Sequence, residues 1–464
     1  MNNFANLESV GHIMKPRIQP QNQGVANQLR GNRWWLRLGL VVLLALCLFG
    51  RVAPAPAVSS QAYAQLRLLV EALYEIDNKY VTEKKERDLI YGAIRGLVAS
   101  LDANSSFLTP AEYQESLTKT APAEAEAGLE LSIKDNLLTV IASLEGGPAW
   151  QAGLRPDDHL LKINNQSTRA MTALEAAKKL QGPSGTKVKL QIIRTGLAKP
   201  LDVEITLERP TVESVSSYAL EDGFYYIRLR NFKERSAQEL QQALRAMQSE
   251  GPAPRGIILD LRNTAGPQFE EARRLASIFV GNELIYAVKG RQNGSKQTYT
   301  GLKDYQVLKE RLPLVVLVDQ GTGRAAEILA GALQAHYGAV LMGYKTFGDC
   351  AVAKVFPLKD GSAIIVSVGY CYTPKEQLIQ GKGLEPDIAG PKKDGDEQPL
   401  TTPAKPEKAK KIPDIQEIRQ DPLVGQALNK LKNWRRQGAA QPPLRRSLKK
   451  KQVAGSQGLP EELS

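Results

Sequence analysis

Apolar residues recur at helical spacing twice near the start of the chain, as Leu69, Val70, Leu73 and Ile76 and then as Leu89, Ile90, Ala93, Ile94 and Leu97, which predicts a small helical unit from residue 65 to about 120. From Gly128 the pattern changes to short β-rich runs at 137–141, 159–163 and 188–193, separated by Gly, Pro and Asp turns, with one helix near 173–180. That is the pattern of a compact β-domain. After Pro210 strand and helix alternate. A strand at 224–229 precedes Ser236 and Glu239, spaced as a capping box ahead of the helical face Leu240, Ala243, Leu244 and Met247. A buried-strand run at 256–261, a turn at 263–267 and a helix through Ala272, Leu275 and Phe279 follow, and 314–318, 324–335 and 339–343 repeat the unit. Such alternation predicts a layered α/β core. Beyond Asp387, Lys, Pro, Thr and Gln dominate and predict a tail without a packed core, except at 422–434, where Leu423, Ala427, Leu428 and Leu431 share one helical face.

A chain of 464 residues agrees with roughly three such units. Its net charge of +12 would suggest nucleic acid if it were spread over the fold. It is not: residues 1–64 carry +5 and residues 391–464 carry +7, leaving a neutral body. Basic ends on a neutral body argue against a nucleic-acid groove and leave two readings for the ends, contact with an anionic surface or simple solvation. At the N-terminus Lys15, Arg17, Arg30, Arg33 and Arg37 precede an uncharged apolar run at 38–50, and small residues follow at Ala62-Tyr63-Ala64. This order is that of a secretory signal, and the run is short for a membrane span. Export follows, to the periplasm or another extracytoplasmic space. Cleavage after Ala64 and an uncleaved anchor at 38–50 both stand, as does a start at Met14. Of 3 cysteines, Cys47 lies in the apolar run, leaving Cys350 and Cys371 in a compartment where disulfides persist. There is no CxxC or His/Cys cluster and only 3 His occur, so neither a metal nor a cofactor is expected.

Several stretches together resemble the carboxyl-terminal processing (tail-specific) peptidases, serine proteases with an embedded peptide-binding PDZ module. Ser100-Leu101-Asp102-Ala103-Asn104-Ser105-Ser106-Phe107-Leu108 is similar to the family's Ser-Leu-Asp-Pro-His-Ser-Ser-Phe-Leu. Gly147-Pro148-Ala149, Ala152-Gly153-Leu154-Arg155-Pro156-Asp157-Asp158 and Gly182-Pro183-Ser184-Gly185-Thr186 resemble its PDZ turns. Ile258-Leu259-Asp260-Leu261-Arg262-Asn263, Ala326-Glu327-Ile328, Lys345-Thr346-Phe347-Gly348 and Gly381-Lys382-Gly383-Leu384-Glu385-Pro386-Asp387-Ile388 continue the match in family order. The resemblance implies a mixed α/β multidomain fold: a crotonase-like core of layered sheet and helices, an inserted PDZ β-domain and an N-terminal helical segment. The divisions are a signal peptide or anchor at 1–64, the helical segment at 65–121, a PDZ-like domain at 122–208, a protease-like core at 209–390 and a basic, mostly disordered tail at 391–464.

The resemblance also supplies catalytic positions, and these are replaced. The family's nucleophile is the first Ser of a Ser-Ala-Ser-Glu-Ile string, activated by a Lys that follows Phe-Gly. A hydroxyl is a poor nucleophile without a base, and a Lys serves as base only when burial lowers its pKa. Here the string reads Arg324-Ala325-Ala326-Glu327-Ile328, the Lys position is Asp349, and the supporting Gln position is Ala353. No Ser occurs between Pro313 and Gly361, where Thr322 and Thr346 are the only side-chain hydroxyls of that kind and Lys345 lies four residues ahead of the base position. The oxyanion turn is Thr264-Ala265-Gly266-Pro267, and Pro267 has no N–H to give. Glu327 reads as a helix-start acid that satisfies the dipole, in preference to a catalytic carboxylate. Arg324 at the positive end of that helix needs an anion, and Asp349 is the candidate for an ion pair; the alternative is that both point separately into solvent.

The PDZ-like unit implies capture of a free C-terminus by the loop Gly128, Leu129, Glu130 and Leu131, with the peptide adding a strand. Glu130, where a second Gly is usual, weakens capture of a carboxylate; a module kept only for folding is the alternative. A two-residue turn at Asp360-Gly361 would put Cys350 across a hairpin from Cys371, within disulfide reach unless a bulge intervenes, the alternative being two separate thiols. The expectation is a pseudoprotease that binds protein C-terminal tails or unfolded polypeptides, with an active protease or a membrane surface as further candidate partners. Against it stand an active serine endopeptidase cleaving near substrate C-termini and a basic-tailed surface protein with a vestigial fold.

Overall fold

The computed structural model describes residues 60–118, 124–209, 213–291, 295–308, 310–391 and 412–436. The apolar run at 38–50 and most of the expected leader lie outside these residues. The chain divides into two compact units, Met1–Glu86 and Arg87–Ser464. In the first, the helix Ser60–Lys79 leaves Leu66, Leu68, Val70 and Tyr74 exposed. No helix among the described residues is long and apolar enough to cross a membrane.

The further elements belong to the second unit, and the expected helical segment is present as the helices Ser60–Lys79, Glu86–Ala99 and Pro110–Thr118. After the helix Glu86–Ala99 the chain turns at Asp102 and enters a strand, Ser106–Leu108, which pairs antiparallel with residues 363–365. All of its residues are buried, and helical spacing has ended before it.

The inserted domain is a six-stranded antiparallel sheet in which Leu129–Lys134 is an edge, followed across the sheet by Leu137–Ser143, His159–Ile163, Lys187–Ile193 and Leu201–Thr206, with the short Gln166–Ser167 paired to His159–Ile163. Val188, Leu190 and Ile192 alternate inward, as a strand with one buried face requires. The helix Ala173–Lys179 packs beside the edge strand and is capped by Thr172 and Glu175 in a reciprocal box.

In the core, Phe224–Leu229, Gly256–Asp260, Leu314–Val318, Val340–Gly343 and Ile388–Ala389 form a parallel sheet, with Val215–Ala219 antiparallel at one edge. Strands covered on both faces read as unbroken apolar runs, and Leu314–Val318 is wholly buried. Helices Ser236–Ser249, Phe269–Val280 and Ala325–Ala332 cover one face. The other is covered by the C-terminal helices Ile415–Gln420 and Pro422–Arg436, whose Leu423, Val424, Ala427 and Leu431 pack against Ile258, Val315 and Leu317. This part of the expected tail is therefore a structural layer, and residues 392–411 and 437–464 lie outside the described residues. The expected capping box at Ser236 and Glu239 does not form: the helix begins after Arg235, and the Glu239 carboxylate accepts the Ser214 and Val215 amides at 2.8 and 3.0 Å, holding the edge strand.

A second, antiparallel sheet joins Ser106–Leu108, Ala363–Tyr372, Leu284–Lys289 and Lys296–Thr300, with Ala351–Pro357 paired to Ala363–Tyr372. The turn of this last hairpin differs from the expected two-residue Asp360-Gly361. Leu358 and Ser362 face each other across a three-residue loop closed at Gly361, whose φ of +85° suits a residue without Cβ. A register shift between Val352 and Ala353 then moves the pairing back by one residue. The two irregularities offset, and Cys350 and Cys371 meet as a disulfide with Cα atoms 5.4 Å apart.

Candidate functional site

Position 324 lies where the loop after the strand Leu314–Val318 enters the helix Ala325–Ala332. Its backbone is strained, with φ 53° and ψ −113° in a residue that carries a side chain. The Glu327 carboxylate holds this bend by accepting the Arg324 amide at 3.0 Å. Glu327 is fully buried and also accepts the Thr346 hydroxyl at 2.5 Å and the Gly348 and Asp349 amides at 2.8 and 3.2 Å. One carboxylate thus fixes the backbone at 324 and at 349 together.

The Arg324 side chain is 13% exposed and its Nε lies 3.0 Å from Asp349 Oδ2, itself 3% exposed. A terminal nitrogen reaches Glu130 at 3.2 Å, and the other donates to the Leu131 carbonyl at 2.8 Å. Asn104 donates to Asp349 Oδ1 at 3.0 Å, and Ser132 adds a side-chain bond to the same carboxylate. Burial opposes the charge on both members of the pair, but each outweighs it for the other: the Asp349 carboxyl is held below its ordinary value and the Arg324 guanidinium above its own. Burial pushes Glu130 up, against the pull of Arg324.

The PDZ sheet is fastened over this pair along one line. Lys134 lies over the Phe347 ring at 5.3 Å, and Ile141 packs with Ala265 and Phe347. Ser143 and Asn263 exchange hydrogen bonds of 2.9 and 2.7 Å, and Glu145 meets Arg228 at 2.6 Å and Arg230 at 3.3 Å, all three side chains being buried. A Cβ added to Gly323 would fall 2.6 Å from Ile141, so the PDZ strand rests directly on the loop that delivers residue 324.

Residues 224–389 match peptidase family S41 and residues 139–194 match the PDZ domain. The chain is 33% identical over 329 residues to a carboxy-terminal-processing protease of Bartonella bacilliformis, covering 70% of this chain and 75% of the relative. This chain belongs to that family. It is likewise 32% identical to carboxy-terminal processing protease CtpA of Bacillus subtilis, covering 69% of this chain and 68% of the relative. Among solved structures, the photosystem II D1 C-terminal processing protease superposes with a TM-score of 0.58 at 25% identity, covering 70% of this chain and 93% of that one.

Within this processing-protease fold, the hydroxyl and amine groups nearest positions 324 and 349 each have partners of their own. Thr322 is buried and its hydroxyl donates to the Leu261 carbonyl at 2.8 Å. Thr346 serves Glu327, and Lys345 is exposed beside Glu385. Ala353 is exposed on the strand Ala351–Pro357. In the oxyanion turn the Gly266 carbonyl accepts the Ala325 amide at 3.1 Å, so the N–H that follows position 324 is used, and Pro267 adds none. Gly128, Leu129, Glu130 and Leu131 open the edge strand, and Glu130 and Leu131 lie against Arg324. Asn104 was missed by reading the sequence; it stands where the family text has His, and that substitution was its signal. Arg228, Arg230 and Glu145 were missed too, though two arginines at the end of a buried apolar strand are themselves a sign. Among the described residues no group of His, Cys, Asp or Glu is arranged to hold a metal ion.

Burial raises the Glu327 carboxyl from 4.5 to about 7. A raised folded value means that the native state binds the proton more tightly, so stability is present below the unfolded value and is lost as pH rises toward the folded one. The stability of the chain relative to Glu327→Gln is expected to fall by about 3 kcal/mol between about pH 4.5 and about pH 7 and to level off above. Urea titrations of both proteins across that range check this; a parallel pH dependence would show that Glu327 does not titrate there.

Proposed function

We propose that this chain is a non-hydrolytic member of the processing-protease family which acts outside the cytoplasm and holds polypeptide C-termini through its PDZ domain. The observation that carries this is the ion pair at positions 324 and 349: a guanidinium and a carboxylate, each satisfied by the other, occupy the places where the chemistry needs a hydroxyl and a neutral amine. A guanidinium does not deprotonate to attack a carbonyl, and a carboxylate held below its ordinary pKa by Arg324, Asn104 and Ser132 is too weak a base to take a serine proton. The commitment of the Ala325 amide to the Gly266 carbonyl supports the same reading, because the N–H that follows position 324 is already bonded. Recognition by the PDZ domain does not depend on the dyad and can persist without it.

The test is an incubation of the purified chain with unfolded substrates that carry apolar C-termini, beside a peptide-binding titration. Turnover equal to the buffer control, with saturable binding, is the expected result. Cleavage that co-purifies with the protein through removal of contaminating proteases would refute it.

A further inference from the structure

The edge strand Leu129–Lys134 turns into its neighbour through Asp135 and Asn136, both at positive φ, a two-residue turn of the hairpin type. In such a hairpin the closing pair, Lys134 and Leu137, exchanges both backbone bonds, and every second residue from Ile133 on turns its N–H and C=O away from the partner strand, in the plane of the sheet. Leu131 is one of those. Its partner Val140 shows the same from the other side, because the Val140 N–H and C=O bond to Asp158 and Asp157, away from Leu131. The Leu131 carbonyl therefore points from the free edge, where an added peptide strand would pair, and it is this carbonyl that Arg324 takes. Glu130 and Ser132 project to the opposite sheet face from Leu131, and they meet Arg324 and Asp349 there.

We infer that Arg324 is an internal occupant of the PDZ groove and that Glu130 forms a cation-binding subsite, selecting tails with a basic penultimate residue. This rests on the tail-binding function proposed above. A terminal apolar side chain enters between the edge strand and the helix Ala173–Lys179, on the face of Leu129 and Leu131. The side chain before it then falls on the face of Glu130, since neighbours on a strand point to opposite sides. With Arg324 in place, Glu130 has its cation; a ligand that displaces Arg324 must return one or leave the partly exposed Glu130 carboxylate to water alone. The guanidinium released from the edge keeps Asp349 as its partner, which makes the exchange balanced in charge.

The experiment is fluorescence anisotropy of labelled peptides that share one apolar C-terminal residue and differ only in carrying Arg, Gln or Glu at the penultimate or the preceding position. Each is titrated with the full chain, with Arg324→Ala/Asp349→Ala, which removes the internal occupant without stranding its partner, and with both backgrounds carrying Glu130→Gln. The double variant is expected to bind about tenfold more tightly than the natural chain, and penultimate Arg about tenfold more tightly than penultimate Glu. The preference should vanish in Glu130→Gln and should be absent at the preceding position. Binding without a charge preference, a preference at the wrong position, or no gain in the double variant overturns the cation subsite and leaves tail binding standing. No binding by any variant overturns both.

Discussion

Arg324→Ala is expected to destabilise the chain by about 3 to 5 kcal/mol, more than Arg324→Ala combined with Asp349→Ala. The single variant leaves the Asp349 carboxylate nearly inaccessible to water with only Asn104 and Ser132 to bond, whereas the double variant removes both charges. Glu130 contributes less to the difference, because its side chain is 36% exposed and water can replace the guanidinium. The measurement is a double-mutant cycle from urea unfolding at neutral pH. Coupling near zero would mean that the two side chains are held independently.

Glu145→Ala is expected to cost about 3 to 5 kcal/mol and to loosen the PDZ domain from the core, because it strands buried guanidiniums. Arg228 is cushioned: it retains the Leu229 and Asp260 carbonyls and the Thr264 hydroxyl, and Asp260 lies close. Arg230 is not, since it keeps only its bond to Ser216 at 2.9 Å among those the structure shows. Limited proteolysis should become faster at the domain junctions, and tryptophan emission should shift to the red, as Trp150 lines the cavity beside Glu145. Glu145→Gln, which keeps the shape and one acceptor, should fall between. An Ala variant as resistant to protease as the natural chain would show that other contacts fix the domain.

The sequence was most legible where local rules and burial agree. The unbroken run Leu314–Val318 is a strand covered on both faces, and the alternation in Lys187–Ile193 is a strand covered on one, each as its pattern implies. The C-terminal helix was legible as a helix but not as a layer, because Leu423, Ala427 and Leu431 show an apolar face without showing which sheet face lacks a cover. The hairpin 351–372 was legible in outline while its register was not: Asp-Gly announces a turn but does not fix its length, and nothing local announces the shift at Val352. At the site, positions 324 and 349 could be read against the family text, as could the loss of the Ser and Lys. Glu130 could be read only as an oddity in the PDZ loop. Its partner sits 194 residues away, and such pairings are set by tertiary packing rather than by any local pattern.

The inserted domain leaves and re-enters the core at one place, for Glu126 and Glu208 are bonded to each other in both directions, at 3.1 and 3.4 Å. The contacts beyond that point, at Phe347, Asn263, Arg228 and Arg230, hold its orientation. On the inference drawn above, Arg324 acts toward the groove as a competitor within the same molecule, whose occupancy does not change with the amount of protein. A tail in free solution competes against that fixed occupancy. One delivered on a neighbouring molecule, or from a crowded membrane surface, gains from the same arithmetic, so the setting in which a client is presented weighs as much as its sequence.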